Sequence, residues 1–325
     1  MSTSPGARPA ISRAVQFVES FGGPEALELI DVPIPHVGPG QARVRVTAAG
    51  LNPMDWFMTS DAATAARFGL SLPCGFGNDY AGTVDAVGAD ATDGAGGRFE
   101  VGDRVFGGAF SRSVADYVVV DAPGHIGKGG DVHRTPAGLD DHVAATLSIA
   151  GCTAAAALDV VSVGPSDTLL VGGAGGGVGV FAVQLARRAG ARVIGTGSAA
   201  SADALRALGV EPVTYGEGLA DRLRELAPGG ITAALDLHGT ETIAVARELG
   251  VPDSRMSTIA AVVDGVTPAN GANAAPGAIE EIARLAAEGE IRVPIAASFP
   301  VDEIRAAVGL QAGRHVHGKV VIELR

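Results

Sequence analysis

The residues best placed to do chemistry in this 325-residue chain form one glycine-rich run, Ala174-Gly-Gly-Gly-Val-Gly179. Backbone without side chains at Gly175, Gly176 and Gly177 can come close to a pyrophosphate. The N–H groups that follow, from Val178 into a helix, face an anion. Gly179 would let that helix pack tightly on the preceding strand, and Ala174 stands where the common dinucleotide fingerprint has its first glycine. The run gains meaning from its surroundings. A short apolar strand, Asp167–Val171, precedes it. An amphipathic helix follows, with Arg187 and Arg188 in its last turn and Gly190 at its end, and then comes a second strand, Arg192–Gly195. That is a β-turn-α-β unit of roughly the 30 residues expected for a dinucleotide-binding crossover. The competing reading is a membrane span or a flexible segment. Leu169–Ala186 does contain 18 uncharged residues, but six are glycine and one is Gln184, which is unlike a span.

The end of the second strand bears on which nucleotide is held. An NAD site usually places Asp or Glu there for the ribose 2′-hydroxyl, whereas this chain reads Gly195-Thr-Gly-Ser-Ala-Ala-Ser201 with no carboxylate before Asp203. Thr196, Ser198 and Ser201 would tolerate a 2′-phosphate and donate to it, so NADPH is the expected cofactor. The stretch holds no Arg or Lys to add positive charge.

The elements that must position this run fall into two patterns. Over the first ~140 residues, short β-rich stretches alternate with Gly and Pro and show no helical periodicity, which predicts a strand-rich, barrel-like domain. Strands are expected at 14–18, 26–32, 42–48, 82–87, 104–106 and 115–120. From an Ala-rich helix near Asp140 to about Asn270, strands alternate with helices, the pattern of a doubly wound parallel sheet covered on both faces. A helix at 278–287, a strand near Val293, a helix at 301–312 and a last strand at 319–324 are assigned back to the first domain. The expected fold is therefore α/β, with a discontinuous β-rich domain (1–141 and 271–325) and a nucleotide-binding domain (142–270).

The net charge of −12 argues against nucleic acid or anionic membranes as partners. The lead Met1–Ala10 lacks an apolar core of the kind a signal peptide has, so the cytoplasm is expected. Cys74 and Cys152 stand far apart without metal-type spacing and read as buried thiols. His315 and His317 would share a face on a strand, but no further ligand is near in sequence, and no metal is expected.

Five phrases in register, Ala48–Asp55 (AAGLNPMD), Gly77–Val84 (GNDYAGTV), Val101–Val105 (VGDRV), the glycine run and His317–Val321 (HGKVV), resemble the medium-chain dehydrogenase/reductase superfamily over nearly the whole chain, and within it the zinc-free quinone oxidoreductase branch. The resemblance implies a GroES-like catalytic domain beside a Rossmann domain. Zinc-dependent members have a Cys ligand where this chain has Asn52 and a His where it has Asn78, and their four-cysteine lobe is absent here. Asn52 is implied as the residue beside the nicotinamide that donates to a substrate carbonyl oxygen; the alternative is that Asn52-Pro53 only shapes a turn. Asp55 and Asp79 are expected to hold loops through backbone N–H groups. Tyr215 matches a position that approaches the adenosine 2′-phosphate, or is simply a strand-end aromatic, and Gly239 matches one of close backbone approach to the cofactor.

The tyrosine that enoyl-thioester reductases carry shortly after the Asn-Pro phrase is absent from Trp56–Leu72. Val266–Asn273 forms strand poorly, which leaves the family's homodimer open. The expected activity is NADPH-dependent, metal-free reduction of a small-molecule quinone or α,β-unsaturated carbonyl. The alternatives are a tailoring enoyl reductase or cyclase of secondary metabolism, and an NADPH-binding protein without turnover.

Overall fold

The computed structural model describes residues 11–125, 130–314 and 316–325. The N-terminal lead, part of the loop at 124–131, and His315 with its suggested pairing lie outside them. The chain forms two compact units, one made of the residues up to Thr135 with 298–312 and 321–325, the other of 136–297 with 313–320.

The first unit begins with β1 (Ile11–Phe17), β2 (Leu27–Pro33), β3 (Gln41–Leu51), α1 (Pro53–Phe57), α2 (Ala62–Arg67), β4 (Cys74–Gly75), β5 (Asp79–Val87), β6 (Arg104–Gly108), β7 (Tyr117–Asp121) and β8 (His133–Arg134). The expected strands are present. The two helices between β3 and β4, five and six residues long, are too short to display a helical period in sequence. Alternation explains β3: Ala42, Val44, Val46 and Ala48 are buried while Arg43 and Arg45 turn outward, and then every residue from Ala48 to Leu51 is buried. The strand thus runs into the interior and delivers Asn52 there. β5 pairs antiparallel with β3, with Asp79 opposite Gly50, so the start of one strand lies beside the end of the other.

The second unit contains α3 (Asp141–Ala144), α4 (Leu147–Val160), β9 (Thr168–Gly172), α5 (Gly179–Arg188), β10 (Arg192–Gly197), α6 (Ala202–Ala207), β11 (Glu211–Thr214), α7 (Leu219–Leu226), β12 (Ala233–Asp236), α8 (Glu241–Glu248), β13 (Met256–Thr258), β14 (Thr267–Pro268) and α9 (Ala278–Ala287). Its six-stranded sheet has the order β11-β10-β9-β12-β13-β14, with parallel pairing throughout. The chain leaves β9 toward β10 on one side and later returns on the other through β12. The carboxyl end of β9 is therefore a topological switch point, where such sheets bind ligands. Leu170, Ile194, Ala234 and Met256 from four adjacent strands share a core with Leu219, Leu223, Ile243 and Ala246 of the helices α7 and α8.

Two expectations meet a different arrangement. Residues 271–297 group with the second unit, where Ile282 of α9 packs against Gly151 of α4; the amphipathic helix says that it must cover an apolar face but not which one. The poor strand former near Val266 does form a two-residue strand, with Ser257 Oγ donating to Thr267 O at 2.9 Å. The chain closes with β15 (Ile295–Pro300), α10 (Ile304–Ala312) and β16 (Lys319–Glu323), and β16 joins the sheet beside β3.

Candidate functional site

In the second unit, the glycine run leaves β9 at the switch point and feeds α5. The helix is held from several sides. Arg187 and Arg188 sit in its last turn, where they complement the dipole, and Gly190 (φ +89°) ends it. Its polar interior residue, Gln184, is 8% exposed; Nε2 donates to Arg292 O at 2.8 Å and Oε1 accepts from Arg292 N–H at 2.8 Å. Gly179 packs against the start of the run so closely that a Cβ would stand 2.2 Å from Gly173 O and 2.6 Å from Ala174 C. Ala174 is fully buried, and its methyl occupies space that a Cβ on Gly195 would need, at 2.6 Å. A side chain at the first fingerprint position is thus accommodated by a glycine on β10. Gly175, Gly176, Gly177 and Val178 lie half-buried between these two anchors.

The hydroxyl residues after β10 divide. Thr196 is 6% exposed, and its Oγ1 accepts from Gly173 N–H at 3.3 Å, so it braces the glycine run. Ser198 and Ser201 form a local turn instead. Ser198 Oγ accepts from Ser201 N–H at 3.2 Å, and Ser201 Oγ donates to Ser198 O at 2.9 Å; both residues are half-buried. Tyr215 is 52% exposed just beyond β11. Sequence spacing missed Arg222, whose guanidinium donates to Thr214 O at 2.8 Å, Gly216 O at 3.1 Å and Glu217 O at 2.8 Å. Thr214 is the register partner of Gly197, so this supplies a positive charge on the strand next to β10. Only the folding of α7 back over β11 brings it there.

On the other side of β9, Asp236 ends β12 and is 2% exposed. It accepts from His238 N–H at 3.1 Å, Gly239 N–H at 2.7 Å and Thr242 N–H at 2.9 Å, which shapes the loop that carries Gly239. A Cβ on Gly239 would meet no protein atom within 4 Å.

In the first unit, Asn52, Asp55, Asn78 and Asp79 form one buried cluster, each 3% exposed or less. Asn52 N–H donates to Asp55 Oδ2 at 2.7 Å, which caps α1. Asn52 Nδ2 donates to Asp79 Oδ2 at 2.9 Å. Asn78 Nδ2 donates to Asp55 Oδ1, and Asn78 Oδ1 accepts from Ser111 N–H at 3.2 Å. Each asparagine therefore serves an aspartate from the other element, in a setting where a buried carboxylate needs donors. Asp55 holds backbone as its residue type suggests; the side-chain partners of both aspartates depend on the β3/β5 register and could not be read from sequence. The arrangement does not fit a metal. The two positions that resemble zinc-ligand positions carry amides directed at carboxylates, and among the described residues no group of three or more His, Cys, Asp or Glu could hold an ion.

The alcohol dehydrogenase GroES-like domain family matches residues 38–200, half of the chain, and the zinc-binding dehydrogenase family matches 177–282. The chain belongs to the medium-chain dehydrogenase/reductase superfamily. Within it, the quinone oxidoreductase of Pseudomonas aeruginosa is 34% identical over 67% of this chain and 64% of its own length. A quinone oxidoreductase structure from Coxiella burnetii superposes with a TM-score of 0.83 at 26% identity, covering 97% of this chain and 100% of the other. A mycobacterial structure complexed with NADPH does so with a TM-score of 0.79 at 26% identity, covering 96% and 99%. These place the member in the zinc-free, quinone oxidoreductase-like branch of a family that binds nicotinamide dinucleotides. In its first curated relatives the matched stretch spans 53–64% of their length. Among the described residues no helix is long and apolar enough to cross a membrane.

Proposed function

We propose that this chain is an NADPH-dependent oxidoreductase that reduces a quinone or an α,β-unsaturated carbonyl without a metal. The observation that carries the reading is the glycine run at the switch point, anchored by Gly179 on one side and by the Ala174–Gly195 contact on the other. A bound nicotinamide supplies the hydride.

The chain's own residues bind and orient. N–H groups at the start of α5 meet the pyrophosphate, and the Asp236-shaped loop at Gly239 gives the dinucleotide a close backbone approach. Preference for NADPH rests on Ser198 and Ser201 in place of a carboxylate, with Tyr215 and the Arg222 charge beside them. Asn52 carries the donor role toward the substrate carbonyl. An amide nitrogen has two hydrogens, and the bond to Asp79 sets the direction of both, which is the preorganisation such a role requires.

A panel of quinones, enones, enals and enoyl thioesters, followed by loss of NADPH absorbance, tests the reading. Turnover with quinones or enones and tighter binding of NADPH than NADH are expected. Turnover confined to enoyl thioesters would move the chain to the tailoring reductases, and no NADPH consumption with any class would make it a binding protein.

A further inference from the structure

The segment that enters β16 lies directly on the glycine run. Gly318 N–H donates to Gly175 O at 2.9 Å, and the His317 imidazole rests against Gly175 so closely that a Cβ there would stand 2.2 Å from Cε1 and 2.4 Å from Nδ1. Lys319, 2% exposed, passes Gly177, where a Cβ would lie 3.2 Å from its Cδ. Gly175 is thus a glycine because an imidazole occupies the space where its side chain would go. This contact joins parts of the chain more than a hundred residues apart, which is why the motif alone does not reveal it.

The ring presents its Cε1–Nδ1 edge to Gly175, with Nε2 3.4 Å from the same Cβ position. That Nε2 atom is buried and has no hydrogen-bond partner among the described residues. A buried polar atom left so is costly, and native proteins rarely keep one without a reason. His133 shows the ordinary arrangement in the same chain, its Nε2 standing 2.8 Å from the Asp131 carboxylate. The surroundings of His317 are rich in donors: the N-terminus of the ten-residue helix α5 carries partial positive charge, and the Lys319 ammonium lies in the same segment. Beside these positive groups an anionic oxygen is the acceptor that an N–H at Nε2 would hold best.

We propose that His317 is a binding residue of the dinucleotide site, its Nε2–H donating to an oxygen of the pyrophosphate bridge while the ring braces Gly175. This rests on the dinucleotide reading given above. The imidazole supplies a directed bond from the C-terminal segment, and so couples the docking of residues 317–319 to occupation of the glycine run.

The test titrates wild type, His317→Ala and His317→Gln with two probes, NADPH and adenosine 2′-monophosphate, which has the adenosine end but no pyrophosphate bridge. His317→Ala is expected to weaken NADPH about tenfold, as loss of one charge-assisted bond does. His317→Gln, which restores an N–H donor, should recover most of that loss, and all three proteins should bind the monophosphate alike. NADPH affinity unchanged in His317→Ala would overturn the inference while leaving the nucleotide reading intact. Equal losses for both probes in both variants would show the ring to be packing alone. Failure of the wild type to bind either probe would remove both the inference and the reading beneath it.

Discussion

Asn52 and Asn78 turn their amide hydrogens toward Asp79 and Asp55 inside the first unit, and this pairing governs what substitution there will do. Asn52→Ala leaves the fully buried Asp79 short of a donor, so we expect a loss of about 1–3 kcal/mol in chemical denaturation together with reduced turnover. Asn52→Asp sets two carboxylates face to face and should cost more. Unchanged stability in the alanine variant would show that the cluster is not cohesive. The same pairing predicts that a strong chelator leaves turnover unaltered and that purified protein carries no stoichiometric zinc by elemental analysis; one zinc per chain would contradict it. At this scale sequence was legible where a residue acts through its neighbours in the chain. Gly179 reads correctly as a packing glycine. The contact of the Thr196 hydroxyl with Gly173 N–H across two strands does not show in sequence, and His317 and Arg222 reach their places through tertiary folding alone.

Among the elements, α5 and β10 fix the glycine run from opposite sides. Gln184→Leu would strip both partners from the Arg292 backbone, and a loss of about 1–3 kcal/mol is expected, seen as a lower denaturation midpoint with an unchanged slope. Gly195→Ala forces a methyl to within 2.6 Å of Ala174 Cβ and 2.7 Å of Val210 Cγ1, an overpacking typically worth about 1–3 kcal/mol. Ala174→Gly should restore part of that loss and not all, since Val210 still interferes. A double-mutant cycle with no coupling would refute the proposed accommodation. Most strands and helices of the second unit were readable because their burial follows a local period. The helices α1 and α2 were not, being shorter than two full turns.

For the whole molecule, acid stability draws on carboxylates fixed at element ends. Burial works against the Asp167 carboxylate, yet hydrogen bonds from Thr232, Arg255 and the Gly164 N–H outweigh it and hold the carboxyl below its usual range. A depressed pKa contributes stability that is present in full above the unfolded value of about 4 and is lost as pH falls through the folded value. Asp167→Asn should therefore be less stable than wild type near neutral pH, and the gap should narrow on acidification below about pH 4. Urea melts across that range check it, and a gap independent of pH would contradict it. Sequence supplied the two-unit organisation but not the placement of residues 271–297, because an amphipathic helix such as α9 shows that it has an apolar face without showing what the face meets. The claim on which the functional account rests is that the glycine run holds the pyrophosphate of NADPH, and equilibrium titration of Gly177→Asp against wild type tests it most directly. A carboxylate placed on that run should weaken NADPH about a hundredfold, or ~2.7 kcal/mol, whereas Gly177→Ala, which sets the same Cβ beside Lys319 without the charge, should weaken it far less. NADPH affinity equal to wild type would contradict the account.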